Sequence, residues 1–315
     1  MKINRSVLFF VFLNLFVNFS YAQNWHSEKL NYQKSHSQML TSSQPSGSSV
    51  ASLLNANFKD TEKGCDNNKL PAFLCSGVML RGTEYSSSYH AWDPSPSSQS
   101  SGGVSFSYLR ADSQYNKLAY GYVNGFIFYP YFSAPDGKNT NIDVMCSYPI
   151  DAATANRTNK GCGASNAYPS QSGACQAQGI TTATQWYSHY QQGSGNHNYQ
   201  CGFTTADDSQ YDTADSFYQS ILSMAKISQE SFNEQNELRL ATWAQGMQDT
   251  LPIEAFFYLK GNSYALTSAR DDQRDFSAST SKKLWVPVIE LTLPQSSGQK
   301  ATFTYRDSDQ AILNK

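Results

Sequence analysis

Six cysteines, all downstream of residue 64, restrict the folding of this chain more than any other feature of its sequence. An even number of cysteines in an exported chain is typical of a disulfide framework. Cys65 and Cys75 form the most local candidate pair. The pairing of the other four stays open; these are Cys146, Cys162, Cys175 and Cys201. A metal site is the weaker alternative because no Cys-x-x-Cys pair occurs, so we predict three disulfides and no metal.

The N-terminus has the three regions of a secretory signal peptide in the right order. Lys2 and Arg5 give a basic start, the apolar run VLFFVFLNLFVNF follows, and the cleavage region has small residues at Ser20 and Ala22. The apolar run is too short for a comfortable membrane span, which makes an uncleaved anchor the weaker alternative. We therefore expect residues 1–22 to be removed, and the mature protein to be secreted without a membrane span.

Composition excludes some classes of function. The formal net charge of −2 becomes −4 once Lys2 and Arg5 leave with the signal peptide. A mildly acidic chain without a cluster of basic residues lacks the positively charged surface that binds nucleic acid. With 15% charged and 14% aromatic residues, the chain is typical of an exported, β-rich protein with long loops. We expect a monomer. No serine-hydrolase, zinc-protease or phosphate-loop motif occurs.

The chain divides into a leader and one domain. Residues 23–64 are polar and are expected to be a partly ordered leader or a short helical segment, and Pro45-Ser-Gly would break any helix there. Residues 65–315 are expected to form a single α+β domain. Within it, residues 146–208 are rich in Gly, Ser, Asn and Gln, which predicts a disulfide-stapled insertion with one short helix at TATQWYSHYQQ.

The periodicity of the remaining segments predicts a β-rich α+β fold with a few helices. Apolar or alternating runs predict strands in LCSGVMLRG, GGVSFSYLR, YGYVNGFIFYPYF, NIDVMCSYPI, PIEAFFYLKG, LWVPVIELTLP and ATFTYRD, and NSYALTSARDDQRDF reads as a helix. Asp215 is a candidate N-cap for a helix that ends near Ile227. A second helix is predicted up to Gly246 and Pro252, with Leu238, Leu240, Trp243 and Met247 on its apolar face and Glu237 on its solvated face.

Arg81 is the first candidate functional residue. It lies within an apolar strand, between Leu80 and Gly82. Arginine is rarely buried without a partner, so it either faces solvent in an ion pair or meets an anion. Its planar guanidinium is able to donate two parallel hydrogen bonds to phosphate oxygens. Gly82, which has no side chain, would let another group approach the backbone.

Ser105 and Ser107 are the second candidate feature. They alternate with Val104, Phe106 and Tyr108, so both hydroxyls lie on one face of a strand and are able to point into one cleft. Alternating serines are also common in half-buried antiparallel strands, which is the structural alternative.

Taken together, these motifs resemble a known family. An Arg on one strand, Ser-x-Ser on a later strand and a Glu at a strand entrance resemble the Arg-Ser-Glu pattern of secreted bacterial ADP-ribosyltransferase toxins. The stretches LRGT, GGVSFSYLR and PIEAFFY…WVPVIELTLP are similar to the halovibrin-like branch, which is linked to ADP-ribosylation and NAD hydrolysis. The resemblance covers roughly residues 65–315 and implies a split β-sheet.

The resemblance also implies roles. Arg81, with Gly82, would hold the phosphates of NAD, which is the substrate, and no cofactor would be bound permanently. Ser105 and Ser107 would support the nicotinamide end of NAD and the glutamate. The glutamate would stabilise the positive charge that develops on the ribose as nicotinamide leaves. The acceptor of the ADP-ribose would be water or a host protein.

Two glutamates compete for that role. Glu254 opens the strand IEAFFYL after a loop, as the family position requires, and is the first choice. Glu290 lies mid-strand and is the alternative. The Glu-x-Glu or Gln-x-Glu pair of the family is expected to be absent here, because Pro252 and Val288 stand two residues before these glutamates. Since this first residue helps to position a protein acceptor in the family, its absence favours water.

Two further features leave alternatives open. His90 lies between two aromatic residues and would either stack near NAD or simply hydrogen-bond a loop. The tyrosine-rich run YGYVNGFIFYPYF is able to form a sugar-binding face. The second hypothesis for function is therefore a non-catalytic secreted protein that recognises glycans or host surfaces.

Overall fold

The structure is a computed structural model of the 315-residue chain, and it describes several separate ranges of residues. The described residues are 46–65, 67–68, 70–85, 104–128, 132–133, 139–140, 143–152, 174–193, 200–204, 213–228, 230–241, 253–279 and 285–314. The predicted signal peptide, His90 and Cys162 lie outside them.

Thirteen strands occur in the described residues. They are β1 (Gly64–Cys65), β2 (Leu70–Pro71), β3 (Val78–Thr83), β4 (Val104–Leu109), β5 (Asn124–Phe128), β6 (Phe132–Ser133), β7 (Asn139–Thr140), β8 (Asp143–Tyr148), β9 (Phe203–Thr204), β10 (Glu237–Ala241), β11 (Ile253–Leu259), β12 (Val288–Thr292) and β13 (Thr302–Tyr305).

The helices of the described residues are α1 (Gly47–Lys59), α2 (Ala183–Gln192), α3 (Thr213–Phe217), α4 (Met224–Ile227), α5 (Glu230–Asn233) and α6 (Ser263–Ser279). A π-helical segment (Tyr218–Ser223) joins α3 to α4. This continuous helical stretch ends at Ile227, as the sequence predicts, but it begins at Thr213 rather than after Asp215.

A nine-stranded sheet organises the described residues, with the order β13-β12-β11-β5-β3-β4-β10-β8-β9. Strands β11 and β12 are parallel and α6 connects them, whereas the other neighbours in this sheet are antiparallel. A mixed sheet with few helices and stapled loops confirms the α+β class that the sequence predicts.

The pairing of β3 with β4 ends part-way along both strands. These strands pair only at Val78↔Leu109, Met79↔Tyr108 and Leu80↔Ser107. Beyond Leu80, the residues of β3 pair with β5, while the first half of β4 pairs with β10. The β3–β4 ladder therefore ends at Leu80 within a continuous nine-stranded sheet, and we call the gap between the two strands beyond Leu80 the split.

Two cores lie on opposite faces of the sheet. On the face covered by α6, the strands contribute Met79, Val104, Phe106, Tyr108, Phe126, Phe128, Leu238, Leu240, Phe256 and Val288. On the face covered by α1, they contribute Val78, Leu80, Leu109, Ile127, Ala255, Phe257, Ile289, Leu291 and Phe303. We call these the α6 face and the α1 face. Their alternation along each strand is the period-two pattern expected of a sheet.

Helix α1 lies within the stretch predicted as a leader or short helical segment. The Ser46 hydroxyl accepts a hydrogen bond from the Ser49 N–H and so caps the helix, and Pro45 lies just outside. Val50, Leu54 and Phe58 are buried in the α1-face core. The folded part of the chain therefore starts upstream of Cys65, because an apolar stripe of this helix covers the sheet.

The disulfides among the described residues agree with the prediction from the sequence. Cys65 pairs with Cys75, as expected, and Cys175 pairs with Cys201. Cys146 is also disulfide-bonded. The Cys175–Cys201 bridge lies in a separate apolar cluster that includes Trp186, Tyr190 and Phe203, so the predicted insertion has a small core of its own.

Strand β10 corrects the second predicted helix. Leu238 and Leu240 are buried on the α6 face, and β10 pairs with β4 on one side and with β8 on the other. Glu237 and Arg239, which alternate with these leucines on the opposite face, are buried too, so both faces of β10 are covered. The residues predicted to continue the helix, Trp243 and Met247, lie outside the described residues.

Among the described residues, no helix has the length and apolar character needed to cross a membrane.

Candidate functional site

Arg81 lies where the sheet splits. Its Nη1 donates a hydrogen bond of 2.7 Å to the backbone carbonyl of Ser105, so the guanidinium reaches across the gap between β3 and β4. The side chain starts on the α6 face, because Arg81 pairs with Phe126 and follows Met79 in alternation. Arg81 is only half-buried, so a cation is accessible at this point.

Two glycines explain why the chain approaches itself so closely beside Arg81. A Cβ on Gly125 of β5 would collide with the backbone carbonyl oxygen of Arg81. A Cβ on Gly82 would lie 3.0 Å from the Cβ of Tyr122, so Tyr122 packs directly over Gly82. Gly82 therefore does allow another group to approach the backbone, and that group is the Tyr122 side chain.

The two serines share a face, but it is the α1 face. Ser107 is 1% exposed, and its hydroxyl shares a hydrogen bond of 2.8 Å with the Tyr115 hydroxyl. It also donates to the carbonyl of Leu80 at 3.3 Å. Ser107 therefore does not line an open cleft, contrary to the expectation from the sequence, whereas Ser105 is only half-buried and lies at the split.

Glu254 occupies an irregular position in β11. The pairing with β5 skips from Ile253↔Phe128 to Ala255↔Ile127, so Glu254 is the extra residue of a β-bulge. Its Oε1 accepts no hydrogen bond from any described residue. Burial raises the pKa of its carboxyl to about 8, because a buried charge is poorly solvated. Strands β5 and β3 separate Glu254 from the serine strand β4.

Glu290 belongs to a different network. It accepts a hydrogen bond from Arg306 Nη2 at 3.0 Å and one from the Tyr258 hydroxyl at 3.2 Å. The bond to Arg306 lowers the pKa of the Glu290 carboxyl. Glu290 lies on β12, with β11 and β5 between it and the Arg81 strand. The structure therefore does not bring it to the split.

A Gln-x-Glu sequence occurs at Gln235–Glu237, and the sequence analysis missed it because it placed Glu237 on a helix. The structure puts Glu237 at the start of β10, fully buried. Its Oε1 accepts a hydrogen bond from Arg239 Nη1 at 3.1 Å, and its Oε2 accepts one from the Ala152 N–H at 2.9 Å. Both donors stabilise the charged form of the carboxylate.

The two residues before Glu237 fix it against neighbouring strands. The side-chain amide of Asn236 makes two hydrogen bonds to the backbone of Tyr108 on β4. It accepts one from the Tyr108 N–H at 2.7 Å and donates one to the Tyr108 carbonyl at 2.8 Å. The Gln235 Oε1 accepts a hydrogen bond from the Ala119 N–H, and its Nε2 donates to Asp151. The Gln-x-Glu segment is therefore held rigidly beside β4.

Three neighbouring strands thus carry the three residue types of the motif. Arg81 lies on β3, Ser105 on β4 and Glu237 on β10, and β4 pairs with both of the others. Ser105 and Glu237 face the same side of the sheet, because each alternates with residues of the α6-face core. The Arg81 side chain leaves β3 on the opposite, α6 face, and its guanidinium meets β4 at the backbone carbonyl of Ser105 rather than at the Ser105 side chain.

A comparison of the sequence with models of known protein families and with curated proteins finds no match. Within the part of the chain that the structure describes, no group of three or more His, Cys, Asp or Glu side chains is arranged to hold a metal ion.

Proposed function

We propose that this protein is a secreted enzyme that cleaves the bond between nicotinamide and ribose in NAD. One observation carries the proposal: Arg81, Ser105 and the Glu237 of a Gln-x-Glu sequence lie on three consecutive strands of a split sheet. The resemblance of the sequence to Arg-Ser-Glu toxins supports this proposal, since that pattern combines the same three residue types; here Arg81 comes from the α6 face and joins the strand of Ser105 through its backbone carbonyl.

The glutamate of this proposal is Glu237 rather than Glu254. A carboxyl with a pKa of about 8 is largely protonated at neutral pH, and a neutral group cannot stabilise a developing cation. Glu237 accepts hydrogen bonds from the Arg239 guanidinium and the Ala152 N–H, and these favour a negative charge. Glu237 also lies on the strand next to the serines, whereas Glu254 does not.

The chemistry assigned to these groups balances without a cofactor. The ribose C1′–nitrogen bond breaks, and its electron pair neutralises the positive nicotinamide ring. The ribose is left with the positive charge, which the Glu237 carboxylate stabilises. Arg81 binds the diphosphate through the N–H groups of its guanidinium. Water then attacks C1′ and releases one proton, which gives ADP-ribose and nicotinamide.

The environment of Gln235 supports water as the acceptor. Both ends of its side-chain amide are engaged, with Ala119 at 3.1 Å and Asp151 at 3.2 Å, and the residue is 8% exposed. A side chain held in this way does not present a group to an acceptor protein. Hydrolysis of NAD is therefore favoured over transfer to a host protein.

The proposal has a structural requirement. Glu237 is fully buried, so the ribose reaches it only when the two halves of the sheet move apart at the split. The ladder between β3 and β4 ends at Leu80, so such an opening would begin where these strands already part.

The glycan-binding hypothesis has less support. Phe126 and Phe128 of the aromatic run are at most 1% exposed and belong to the α6-face core. These two rings therefore fill the core, whereas Tyr120 of the same run is exposed; we propose no second function.

The direct test is to incubate the purified, oxidised protein with NAD and to measure nicotinamide and ADP-ribose. We expect both products in equal amounts without any added protein. Host extract labelled from NAD would reveal transfer to a protein acceptor instead. Absence of nicotinamide release in both assays would refute an NAD-cleaving function.

A further inference from the structure

One row of aligned residues on the α6 face of the sheet is polar. Tyr258 of β11 pairs with Asn124 of β5 and with Glu290 of β12, and Asn124 pairs in turn with Thr83 of β3. Directly paired residues point to the same face, and Tyr258 belongs to the α6-face core. We call these four residues the polar row. It lies toward the carboxyl ends of the parallel strands β11 and β12, the side on which open sheets with parallel strands usually bind ligands.

Helix α6 places a carboxyl above the polar row. Asp272 lies on the buried stripe of α6, one turn before Phe276, and the Phe276 ring packs against Phe256 with centroids 5.7 Å apart. Because α6 connects two parallel strands, it runs antiparallel to β11. Asp272 is about 6 Å from Phe276 along the helix, and Tyr258 is about 7 Å from Phe256 along the strand. The Asp272 side chain therefore lies at the level of the polar row.

Two buried polar atoms at this level have no partner. Asp272 is 5% exposed and Asn124 is 1% exposed. The Oδ2 atom of Asp272 and the Nδ2 atom of Asn124 form no hydrogen bond with any described residue, and so none with each other. An unpaired buried polar group costs about 1–3 kcal/mol, and native proteins contain few of them. A donor and a carboxyl oxygen left unpaired on facing elements indicate a ligand that bonds to both.

The surroundings of the pair define the chemistry of this ligand. Burial and the charges of Asp275 and Asp271 raise the pKa of Asp272, and the Tyr85 hydroxyl donates to Asp275 at 3.1 Å. Three neighbouring carboxyls disfavour an anionic ligand. The Asn124 Nδ2 requires an acceptor, which an ammonium group does not offer. A neutral hydroxyl fits, because it accepts from Asn124 and bonds to Asp272 in either protonation state of the carboxyl.

We propose that Asn124 and Asp272 bind the cis diol of a small ribose-bearing molecule. Asn124 donates to one hydroxyl, and the adjacent hydroxyl bonds to Asp272. A carboxyl that hydrogen-bonds a ribose hydroxyl is a recurring form of recognition. The two oxygens of a cis diol lie on one side of the ring, so both reach the groups that face each other between α6 and β5. This site is separate from Glu237, which lies on the opposite face, and it does not depend on the proposed function.

The test compares two ligands that differ by the diol. Methyl β-D-ribofuranoside carries one cis diol, and methyl 2-deoxy-β-D-ribofuranoside lacks it. Calorimetry measures the binding of each to the purified, oxidised full chain. We expect the wild type to bind the first at least about tenfold more tightly than the second. Asp272→Leu and Asn124→Ala each remove one of the two polar atoms, and we expect each to weaken binding of the first by at least about tenfold.

Asp271→Leu is the matched control, because the Asp271 side chain is 31% exposed and pairs with Arg274; binding should stay unchanged. Asp272→Leu removes an unpaired buried polar group, so its melting temperature should not fall. Equal binding of the two ligands by the wild type, or wild-type binding by both variants, would overturn the proposal. Absence of binding by the wild type would show that Asn124 and Asp272 hold water only, and would overturn it too. Nicotinamide release plays no part in this test, so neither result bears on the proposed function.

Discussion

The Arg81 guanidinium hydrogen-bonds the backbone carbonyl of Ser105 at 2.7 Å, across the point where β3 and β4 part. This contact ties the two halves of the sheet together at a place where the strand ladder no longer does. It also holds the positively charged side chain of Arg81, which is half-exposed, at the edge of the split. A bound diphosphate would compete for the same donors, so ligand binding and opening of the split are linked.

Arg81→Lys tests the role of the Arg81 guanidinium. Lysine keeps the charge but cannot donate two parallel hydrogen bonds to a phosphate. We expect KM for NAD to rise about tenfold, the scale of losing one charged hydrogen bond, with little change in the melting temperature. Arg274→Lys on the exposed side of α6 is the control. Unchanged kinetics in a folded Arg81→Lys protein would return Arg81 to a purely structural role.

Asn236→Ala tests how the Gln-x-Glu segment is held. The substitution removes two hydrogen bonds to the buried backbone of Tyr108, which leaves both backbone groups unpaired. We expect a loss of about 3 kcal/mol in the free energy of unfolding, measured by chemical denaturation. Asn233→Ala, at an exposed position, serves as the comparison. Equal stability of the two variants would show that Asn236 does not anchor β10 to β4.

Buried carboxyls predict how stability varies with pH. Burial raises the pKa of Glu254 to about 8, and burial with the charges of Asp275 and Asp271 does the same for Asp272. The folded protein keeps these protons where the unfolded chain releases them. Their contribution to stability is therefore complete below the unfolded pKa values near 4, and it is lost as pH rises toward 8.

Glu254→Gln measures this effect. Each group contributes a slope of about 1.4 kcal/mol per pH unit while only the unfolded chain is ionised. Between about pH 5 and pH 8, we expect the unfolding free energy of the variant to fall less steeply than that of the wild type. Glu62→Gln, at an exposed position, should leave the profile unchanged. Parallel profiles for Glu254→Gln and the wild type would contradict the burial argument.

The disulfides predict which part of the protein loosens first on reduction. The Cys175–Cys201 bridge joins residues 26 apart, and the Cys65–Cys75 bridge joins residues 10 apart. Loop-closure entropy gives them about 3.5 and about 2.7 kcal/mol. We expect Cys175→Ala/Cys201→Ala to speed hydrogen exchange in α2 while α1 stays protected. Earlier loss of protection in α1 would show that the insertion does not depend on its bridge.

Much of the fold follows from local patterns. Serines alternating with Val104, Phe106 and Tyr108 predict a strand with two faces, and the structure buries the apolar side on the α6 face. The helix predicted at NSYALTSARDDQRDF matches α6, and the local Cys65–Cys75 pair is present. These features depend on residues close in sequence, so the sequence alone contains the necessary information.

The candidate site was harder to predict because it depends on long-range pairing. Leu238 and Leu240 fit a helix face as well as a strand, and only their position between β4 and β8 decides for the strand. That error hid the Gln-x-Glu sequence at Glu237. It also left Glu254 as the preferred glutamate, although no local pattern reveals that β5 and β3 separate it from the serines.

The central claim is that Glu237 is the carboxylate that acts on NAD. The measurement is nicotinamide release at saturating NAD by Glu237→Gln, Glu254→Gln and Glu290→Gln, each with a thermal melt to confirm folding. Glutamine keeps the size and most hydrogen bonds of glutamate but removes the charge. Glu237→Asp is included because it keeps the charge that pairs with Arg239 if the glutamine variant folds poorly.

We predict that Glu237→Gln lowers kcat at least about a hundredfold, the scale of losing one strong electrostatic contact in the transition state. Glu254→Gln and Glu290→Gln should stay within about threefold of the wild type, and Glu237→Asp should retain more activity than Glu237→Gln. Wild-type turnover by a folded Glu237→Gln protein, beside an inactive Glu254→Gln protein, would contradict the assignment and place the reaction at the bulge of β11.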